Sequence, residues 1–539
     1  MKNIILFVCA LLSTMQVVAQ SITPPRLVIN IVVGSMGADD INKYHTNLTA
    51  SGFVKMTSSG TNFTQAYYPS SQTVTATSLA TLTTGALPST HGIVGGGWWD
   101  YLTGDRVDVV VDTECGGIPE YNDKYSYSPR QLIASTIGDG LLAQSPKSQS
   151  LAIAVEPLSA VIMGGERGVC FWVDDQSCEW STSSYYAKSQ ESWVDSFNKS
   201  AYRQKRLDVQ WSSLFTYDHY KNSHTTHLTR RGSASRYESP SPKRTRSIQE
   251  QQQARYEQIS LSPVGNKEVL LFAQEVIKGR ELGADEHPDI LNIYLDPARN
   301  ITQKYGASSV EREDMYYRLD ADIADFILFV ETRFEMNDVL FTLTSDHGTS
   351  PSYGELSQTK GLFNIAQFEV VVGSFLRARY GDKQWVLGYE SRNLYLNREA
   401  MYEAKLDIAA VQREVATFAL QFKGVSHALT ATELRGGYFA SDYGGFMQRS
   451  FYPSRSGDVV INLMPGWIEE QMEPLYSDSG SAYRYDRHVP LAFYSEGMVE
   501  IKQVDRKVGV ETLAATLAKI LAIEPPVASE SDYVEEIFE

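Results

Sequence analysis

The sequence predicts an α/β fold: a doubly wound, mostly parallel sheet with helices on both faces and lid or cap insertions. Three observations predict it. Leu27–Val33 is a run rich in β-branched residues, Leu-Val-Ile-Asn-Ile-Val-Val. Val339–Thr344 is a second such run, and it ends directly in Ser345-Asp346-His347-Gly348. Between and around them, short apolar runs alternate with longer amphipathic stretches, which is the pattern of strands joined by helical crossovers. Strands covered on both faces read as continuous apolar runs rather than alternating ones, and these do.

The elements follow in order. Leu27–Val33 is the first buried strand, and a helix is expected over about Thr75–Thr84. Leu151–Val155 and Ile290–Leu295 are further strands, the latter ending at Asp296. A long amphipathic pattern from Glu311 to Thr332 reads as the helix feeding the strand at Val339. Val489–Tyr494 is a late strand just after His488. No internal repeat is present. From Tyr220 to Arg255 the chain changes character: it is rich in Lys, Arg, Ser and Gln, with Arg230-Arg231, Lys243-Arg244 and Arg246, and has almost no apolar periodicity. This basic insertion at about 220–255 reads as a mobile loop or lid, either a solvated surface or an anion-binding patch on an acidic protein.

Composition sets the outer limits. With 539 residues and 42% hydrophobic content there is ample apolar material for a large core. A net charge of −17 does not favour nucleic acid or an anionic membrane as partner for the whole surface. Residues 1–19 fit a secretory signal: Lys2, the apolar stretch Ile4–Leu12, then Val17-Val18-Ala19 before a cleavage point. The apolar stretch is short for a transmembrane span. Residues 20–539 are then one mature domain, exported to the periplasm or cell envelope. Cys9 lies within the leader. Cys170 and Cys178 are spaced as a hairpin whose arms an oxidising compartment would bridge, or as two buried thiols; Cys115 is left over.

The chemistry starts at Asp346-His347, two adjacent metal-ligand types delivered at the carboxyl end of a buried strand, where open α/β sheets place their sites. Four other segments fall in order around it. They are Ile31-Val32-Val33-Gly34-Ser35-Met36; Thr73-Val74-Thr75-Ala76 running through Thr84-Gly85 to Pro88-Ser89-Thr90-His91-Gly92-Ile93-Val94-Gly95; Asp296-Pro-Ala-Arg-Asn300; and Tyr485-Asp486-Arg487-His488-Val489-Pro490. Taken together these runs resemble the alkaline phosphatase superfamily, in particular its bacterial periplasmic phosphomonoesterases and the nucleotide pyrophosphatase/phosphodiesterases. The resemblance spans essentially the whole mature chain.

It implies an alkaline-phosphatase-like fold with two zinc ions that clamp a phosphoryl group, and a Ser or Thr nucleophile at a helix N-terminus, here Thr75. It assigns Asp296, His488 and the position of Asn300 to one metal, and Asp346, His347 and the position of Gly34 to the other. Asn300 stands where the family has His and is a weak zinc donor; Gly34 stands where the family has Asp and offers no side chain. The phosphate-binding Asn matches Gly96, and the monoesterase Lys and Arg match Glu156 and Leu158. Five functional positions therefore depart together. The resemblance implies fewer than two bound zinc ions, down to none, and lost or strongly reduced phosphohydrolase activity. The leading reading is a pseudoenzyme, a binding or assembly component with a protein partner in the cell envelope. The competing reading is an active metal-dependent phosphoric ester hydrolase with altered metal content or an altered phosphate-ester or other anionic substrate. A third is polyanion binding through the 220–255 insertion.

Overall fold

A computed structural model describes residues 23–119, 126–222, 248–352, 361–440, 442–471 and 475–538. The signal-like segment 1–19 and the basic residues Arg230, Arg231, Lys243, Arg244 and Arg246 lie outside the described residues. The centre is a ten-stranded sheet. Its strands, in chain order, are β1 (Leu27–Val33), β2 (Thr61–Tyr67), β3 (Gly117–Ile118), β4 (Ser150–Ile153), β5 (Val169–Val173), β6 (Trp180–Ser183), β7 (Asp289–Leu295), β8 (Val339–Thr344), β9 (His488–Tyr494) and β10 (Lys502–Gly509). In space they run β10-β2-β9-β8-β1-β7-β4-β5-β6-β3.

The run β8-β1-β7-β4-β5 is parallel throughout, while β9 enters antiparallel between β8 and β2. The expected mostly parallel sheet is therefore present, with antiparallel strands inserted toward its edges. Every residue of β1, β7 and β8 is buried. Alternate side chains feed two cores, as the pleat requires. Ile29, Ile31, Leu291 and Phe341 belong to one face, and Val28, Val32, Ile290 and Leu340 to the other. Four helices flank the strand ends: α1 (Thr75–Thr84), α2 (Pro157–Gly164), α3 (Asp296–Tyr305) and α4 (Val310–Glu331). α4 packs into the first core through Met315, Leu319, Ile323 and Phe326, and α1 packs into the second through Leu79 and Leu82.

The carboxyl ends of β1, β7 and β8 lie side by side, since Val32 pairs with both Tyr294 and Thr344. Buried Arg312 of α4 fixes the loop after β1. Its guanidinium donates to both Asp40 carboxylate oxygens at 3.0 and 2.7 Å and to the Ser35 carbonyl at 3.1 Å. Ser35 itself sits at φ +58°, a conformation that costs a β-substituted residue energy unless its surroundings enforce it.

A second, four-stranded sheet was not read from the sequence. It is built from Val386–Glu390, Asn393–Leu396, Val425–Thr430 and Val459–Leu463, with its own core around Phe368, Trp385, Met401 and Trp467. A two-residue turn at Ser391-Arg392, with φ +48° and +67°, joins its first two strands. Positive φ at both central residues is the type I′ geometry whose twist matches a hairpin.

Two expectations are corrected. The ends of the 220–255 insertion are ordered rather than loop-like. Residues 248–255 form the start of the helix Ile248–Ser260, and the chain entering the insertion is pinned by α4. Asp314 accepts from Trp211, the Leu214 amide and the Tyr220 hydroxyl, and Glu313 accepts from the amides of Lys221 and Asn222. Cys170 and Cys178 are both free, as is Cys115. β5 and β6 do form a hairpin, but Val173 pairs with Trp180, so Cys178 falls in the turn rather than opposite Cys170. The two thiols enter cores on opposite faces of the sheet, and vectors that point apart cannot be bridged.

Beside that hairpin, the fully buried Glu268 accepts from Arg203 at 2.5 Å, from Arg206 and from the Trp180 indole at 3.0 Å. Removing one member of such a buried ionic group strands the others without solvent. Glu268→Gln is expected to destabilise the fold by about 3–5 kcal/mol, read as a lowered midpoint in urea unfolding.

Candidate functional site

At the meeting of β1, β7 and β8, Asp346 is the hub. It has no solvent exposure, and every acceptor position is used. One carboxylate oxygen accepts from the backbone amides of Ser35 (3.0 Å) and His347 (2.9 Å). The other accepts from the Thr75 hydroxyl (2.8 Å) and the Tyr294 hydroxyl (2.7 Å), and pairs with the His347 imidazole at 3.1 Å. Burial alone would raise the Asp346 pKa. The His347 charge and these donors overcome it and hold the carboxyl well below the usual range. Burial alone would lower the His347 pKa, but Asp346 and the Gly348 carbonyl, which takes the imidazole Nδ1 proton at 2.6 Å, raise it. His347 and Asp346 are thus a buried ion pair.

Thr75 is the first residue of α1, preceded by extended Val74. Sequence reasoning placed it at a helix N-terminus, and it is there. Its hydroxyl donates to Asp346 and accepts from Arg299 Nη1 at 2.9 Å. Arg299 comes from the first turn of α3. Its Nη2 reaches Glu156 at 2.6 Å, and both Nε and Nη2 donate to the Asn300 side-chain oxygen at 3.1 and 2.9 Å. The Asn300 amide donates in turn to Glu156 and to Ser260, both at 2.9 Å. Burial would lower the Arg299 pKa; Glu156, Tyr294 and Asp296 raise it further than burial lowers it. Burial would raise that of Glu156, and Arg299 lowers it. The guanidinium and Glu156 are therefore both charged, and the cation lies directly against the Thr75 oxygen.

Gly34 is the reason this arrangement fits. A Cβ at that position would lie 2.7 Å from the Arg299 Cβ and 2.9 Å from the Tyr294 hydroxyl. The volume an Asp side chain would need is filled by Tyr294 and Arg299. Gly96 is different: its Cβ direction is open, with only a Glu390 oxygen at 3.9 Å. Glu390 is paired with Arg106, so this rim carries no free cation in place of an amide donor. Leu158 packs against the second core and contributes no charge.

The remaining assignments part from the site. Asp296, fully buried, spends both oxygens on the segment between β4 and α2. One accepts from the Val155 amide at 2.6 Å and the Glu156 amide at 3.3 Å, the other from the Ser159 hydroxyl at 2.8 Å. Burial first, and Glu156 second, raise its pKa. His488 is not brought to the cluster. It is the first residue of β9, pairs in register with Tyr67, and stacks on that ring at 4.5 Å. Its Nε2–H donates to the Thr64 carbonyl at 2.8 Å, and its Nδ1 accepts from Arg484 at 3.4 Å. Strand alternation turns it to the other side of the sheet edge. The side chain that does face His347 is Ser479, with its hydroxyl 3.3 Å from Nε2. Asp486 faces the same imidazole and is raised to about 7 by burial.

Among the described residues no group of three or more His, Cys, Asp or Glu is arranged to hold a metal ion. The donor chemistry accounts for this. Asp346 is saturated, Asp296 is turned into a backbone cap, and a guanidinium touches the Thr75 oxygen. A divalent ion roughly 4 Å from that guanidinium would be repelled by about 8 kcal/mol at an effective dielectric near 20. That is most of the binding free energy typical of a protein zinc site. As arranged, these residues do not fit a zinc pair.

Sequence reasoning missed Tyr294, Arg299, Ser479 and Arg392. For Arg299 a signal existed: it is three residues after Asp296 and so on the same face of α3. For Arg392 none did, because the second sheet had not been seen. The Ser391-Arg392 turn carries this buried arginine to Glu469 (3.3 Å) and to the carbonyl (3.4 Å) of Ser479, the residue that faces His347.

Residues 28–480 match the family model of the type I phosphodiesterases and nucleotide pyrophosphatases. The alkaline phosphatase PafA of Elizabethkingia meningoseptica is 26% identical over 518 residues, covering 93% of this chain and 92% of that protein. The alkaline phosphatase PhoV of Synechococcus elongatus is 24% identical, covering 95% and 92%. A Myroides odoratus protein named a calcium-transporting ATPase is also 24% identical, covering 97% of each chain. The crystal structure of wild-type PafA superimposes with a TM-score of 0.85 at 23% identity, over 96% of this chain and 99% of that one, which shows the shared fold. With the family model matched over residues 28–480, the chain belongs to the type I phosphodiesterase/nucleotide pyrophosphatase family within the alkaline phosphatase superfamily.

Proposed function

We propose that this protein is a non-hydrolysing member of its family, exported to the periplasm or cell envelope, where it acts as a binding or assembly component. One observation carries the reading: the Arg299 guanidinium donates to the Thr75 hydroxyl oxygen and to Glu156, so the oxygen that would attack phosphorus is already engaged by a cation. The nucleophile's hydroxyl is held between a carboxylate and a cation that balance each other. No lone pair of Asp346 is left to a metal, and Glu156 and Leu158 supply none of the positive charge that a phosphate dianion requires. The signal-like residues 1–19 support export. Among the described residues no helix is long and apolar enough to cross a membrane.

A second reading has its own support. The Thr75–Asp346 hydrogen bond is the pairing a nucleophile would use, and the curated relatives are named alkaline phosphatases. In that reading Arg299 swings away, metal enters, and phosphoric esters are cleaved.

The two readings separate in one assay. Purified protein, loaded with zinc and assayed on p-nitrophenyl phosphate and its bis-ester, is expected to turn over at least about a thousandfold below a rate of about 10 per second, a loss of roughly 4 kcal/mol in transition-state stabilisation. A turnover near 10 per second would favour the hydrolase. The melting temperature is expected to be the same after dialysis against a chelator as after zinc loading, whereas a fall on chelation would show metal in the fold. Gly34→Asp alone is expected to destabilise the chain by about 1–3 kcal/mol through overpacking against Arg299 and Tyr294, and to gain no zinc response. Combined with Arg299→Ala, Tyr294→Phe, Asn300→His and Ser479→His, it is expected to make the melting temperature rise with zinc. An unchanged zinc response in a folded quintuple variant would show that Arg299 is not what keeps metal out.

A further inference from the structure

Outside the Thr75 site, a pair of arginines stands without a counter-charge. Arg449 ends the helix Tyr443–Arg449, and Arg487 ends the short helix Arg484–Arg487 that leads into β9. Both lie against Phe446. The Arg487 guanidinium is 3.4 Å from the ring centroid and the Arg449 guanidinium 5.1 Å. Each gives its Nε–H to a backbone carbonyl of consecutive residues: Arg449 to Pro69 at 2.5 Å and Arg487 to Tyr68 at 2.6 Å. Among the described residues these two bonds leave the terminal nitrogens over, apart from a long Arg487 contact to the Ala482 carbonyl at 3.5 Å.

Among the described residues neither guanidinium has a carboxylate within ion-pair distance, in a chain with seventeen more acidic than basic residues. Burial, and for Arg487 also the charge of Arg449, lowers both pKa values, that of Arg487 to about 10. Tyr67 and Tyr443 face Arg487 as well. Glu511 acts on both arginines from a distance. One of its oxygens accepts from Ser531 at 3.2 Å, and the other is buried without a partner. Bringing two like charges together at a half-buried place is unfavourable unless an anion joins them.

We propose that Arg449 and Arg487 form a fork for one tetrahedral oxyanion, phosphate or sulfate, either free or carried on a larger ligand. N–H donors from two guanidiniums match the oxygens of such an anion, as bidentate arginine contacts do. The place is separate from the Thr75 site but mechanically close to it. Tyr68, whose carbonyl holds Arg487, donates its hydroxyl to the Ser345 carbonyl at 2.8 Å, next to Asp346. The proposal goes beyond the reading of the Thr75 site and stands whether or not that site hydrolyses anything.

Calorimetric titration of the full chain with inorganic phosphate, against sodium chloride at matched ionic strength, tests it. A saturable one-to-one isotherm is expected, weakened at least tenfold by Arg449→Gln and by Arg487→Gln and strengthened by Glu511→Gln. No saturable binding of phosphate, or binding that survives Arg449→Gln unchanged, overturns the fork. If Arg487→Gln does not fold, the more exposed Arg449→Gln decides alone. Glucose 6-phosphate and glucose are the further arms. Tenfold tighter binding of the sugar phosphate than of phosphate, with none of glucose, assigns a carried oxyanion; equal binding of both phosphates assigns the free ion.

Discussion

The charge balance around Arg299 is the constraint on which the rest of the site depends. One guanidinium, buried between α1, α2 and α3, satisfies Glu156, steadies Asn300 and occupies the lone pair of Thr75. Without that cation, Glu156 and Asp346 would be buried near one another with only His347 between them in sign. A buried ion pair contributes little to stability compared with a packed apolar alternative, but losing one partner is severe. Arg299 is therefore not a casual neighbour of the helix start. It is coupled to Gly34, whose missing side chain gives it room, and to Glu156, which neutralises it. Gly34, Arg299 and Glu156 are thus parts of one packed, charge-balanced arrangement.

The sheet holds this arrangement without depending on it. β1, β7 and β8 deliver their carboxyl ends to one edge because their registers are parallel and matched, and nothing in that register uses a metal. Asp296 shows the same economy. It sits at the end of β7 where a ligand would be, yet its oxygens cap the Val155–Ser159 segment and tie α2 to the strand ends. Arg312, Asp40 and the Ser35 carbonyl hold the β1 loop from the other side. The scaffold is supported by backbone-directed bonds that survive a change in the side chains at its centre.

Much of this was legible in the residues. Leu27–Val33 and Thr75–Thr84 have the bounds that their apolar run and helix-start pattern predict, and α4 lies within a residue of its expected ends. Asp346-His347 after β8 marked the site because two ionisable residues at the end of a wholly apolar strand are costly to bury unless they are paired or put to use. His488 misled because a motif gives sequence distance, whereas the pleat decides the face; Ser479 carried no signal of its own. For Cys170 and Cys178 the spacing suggests a hairpin but not which residue occupies its turn, and of the bridge and the two buried thiols that it leaves open the structure has the thiols. The second sheet was missed because its strands are short and interleaved with amphipathic helices, so neither period dominates a window.

The three thiols among the described residues have a consequence for anyone handling the protein. Burial pushes Cys170 up to about 12 and Cys178 and Cys115 up to about 11, so at neutral pH none is an appreciable thiolate. Cys170 and Cys178 lie in different cores, one beneath each face of the sheet. Of these two, a thiol-reactive dye reaches neither until the layer over it lifts, and which of them reacts first names the layer. The chain carries its own two-channel reporter of how its halves come apart, without any engineered probe.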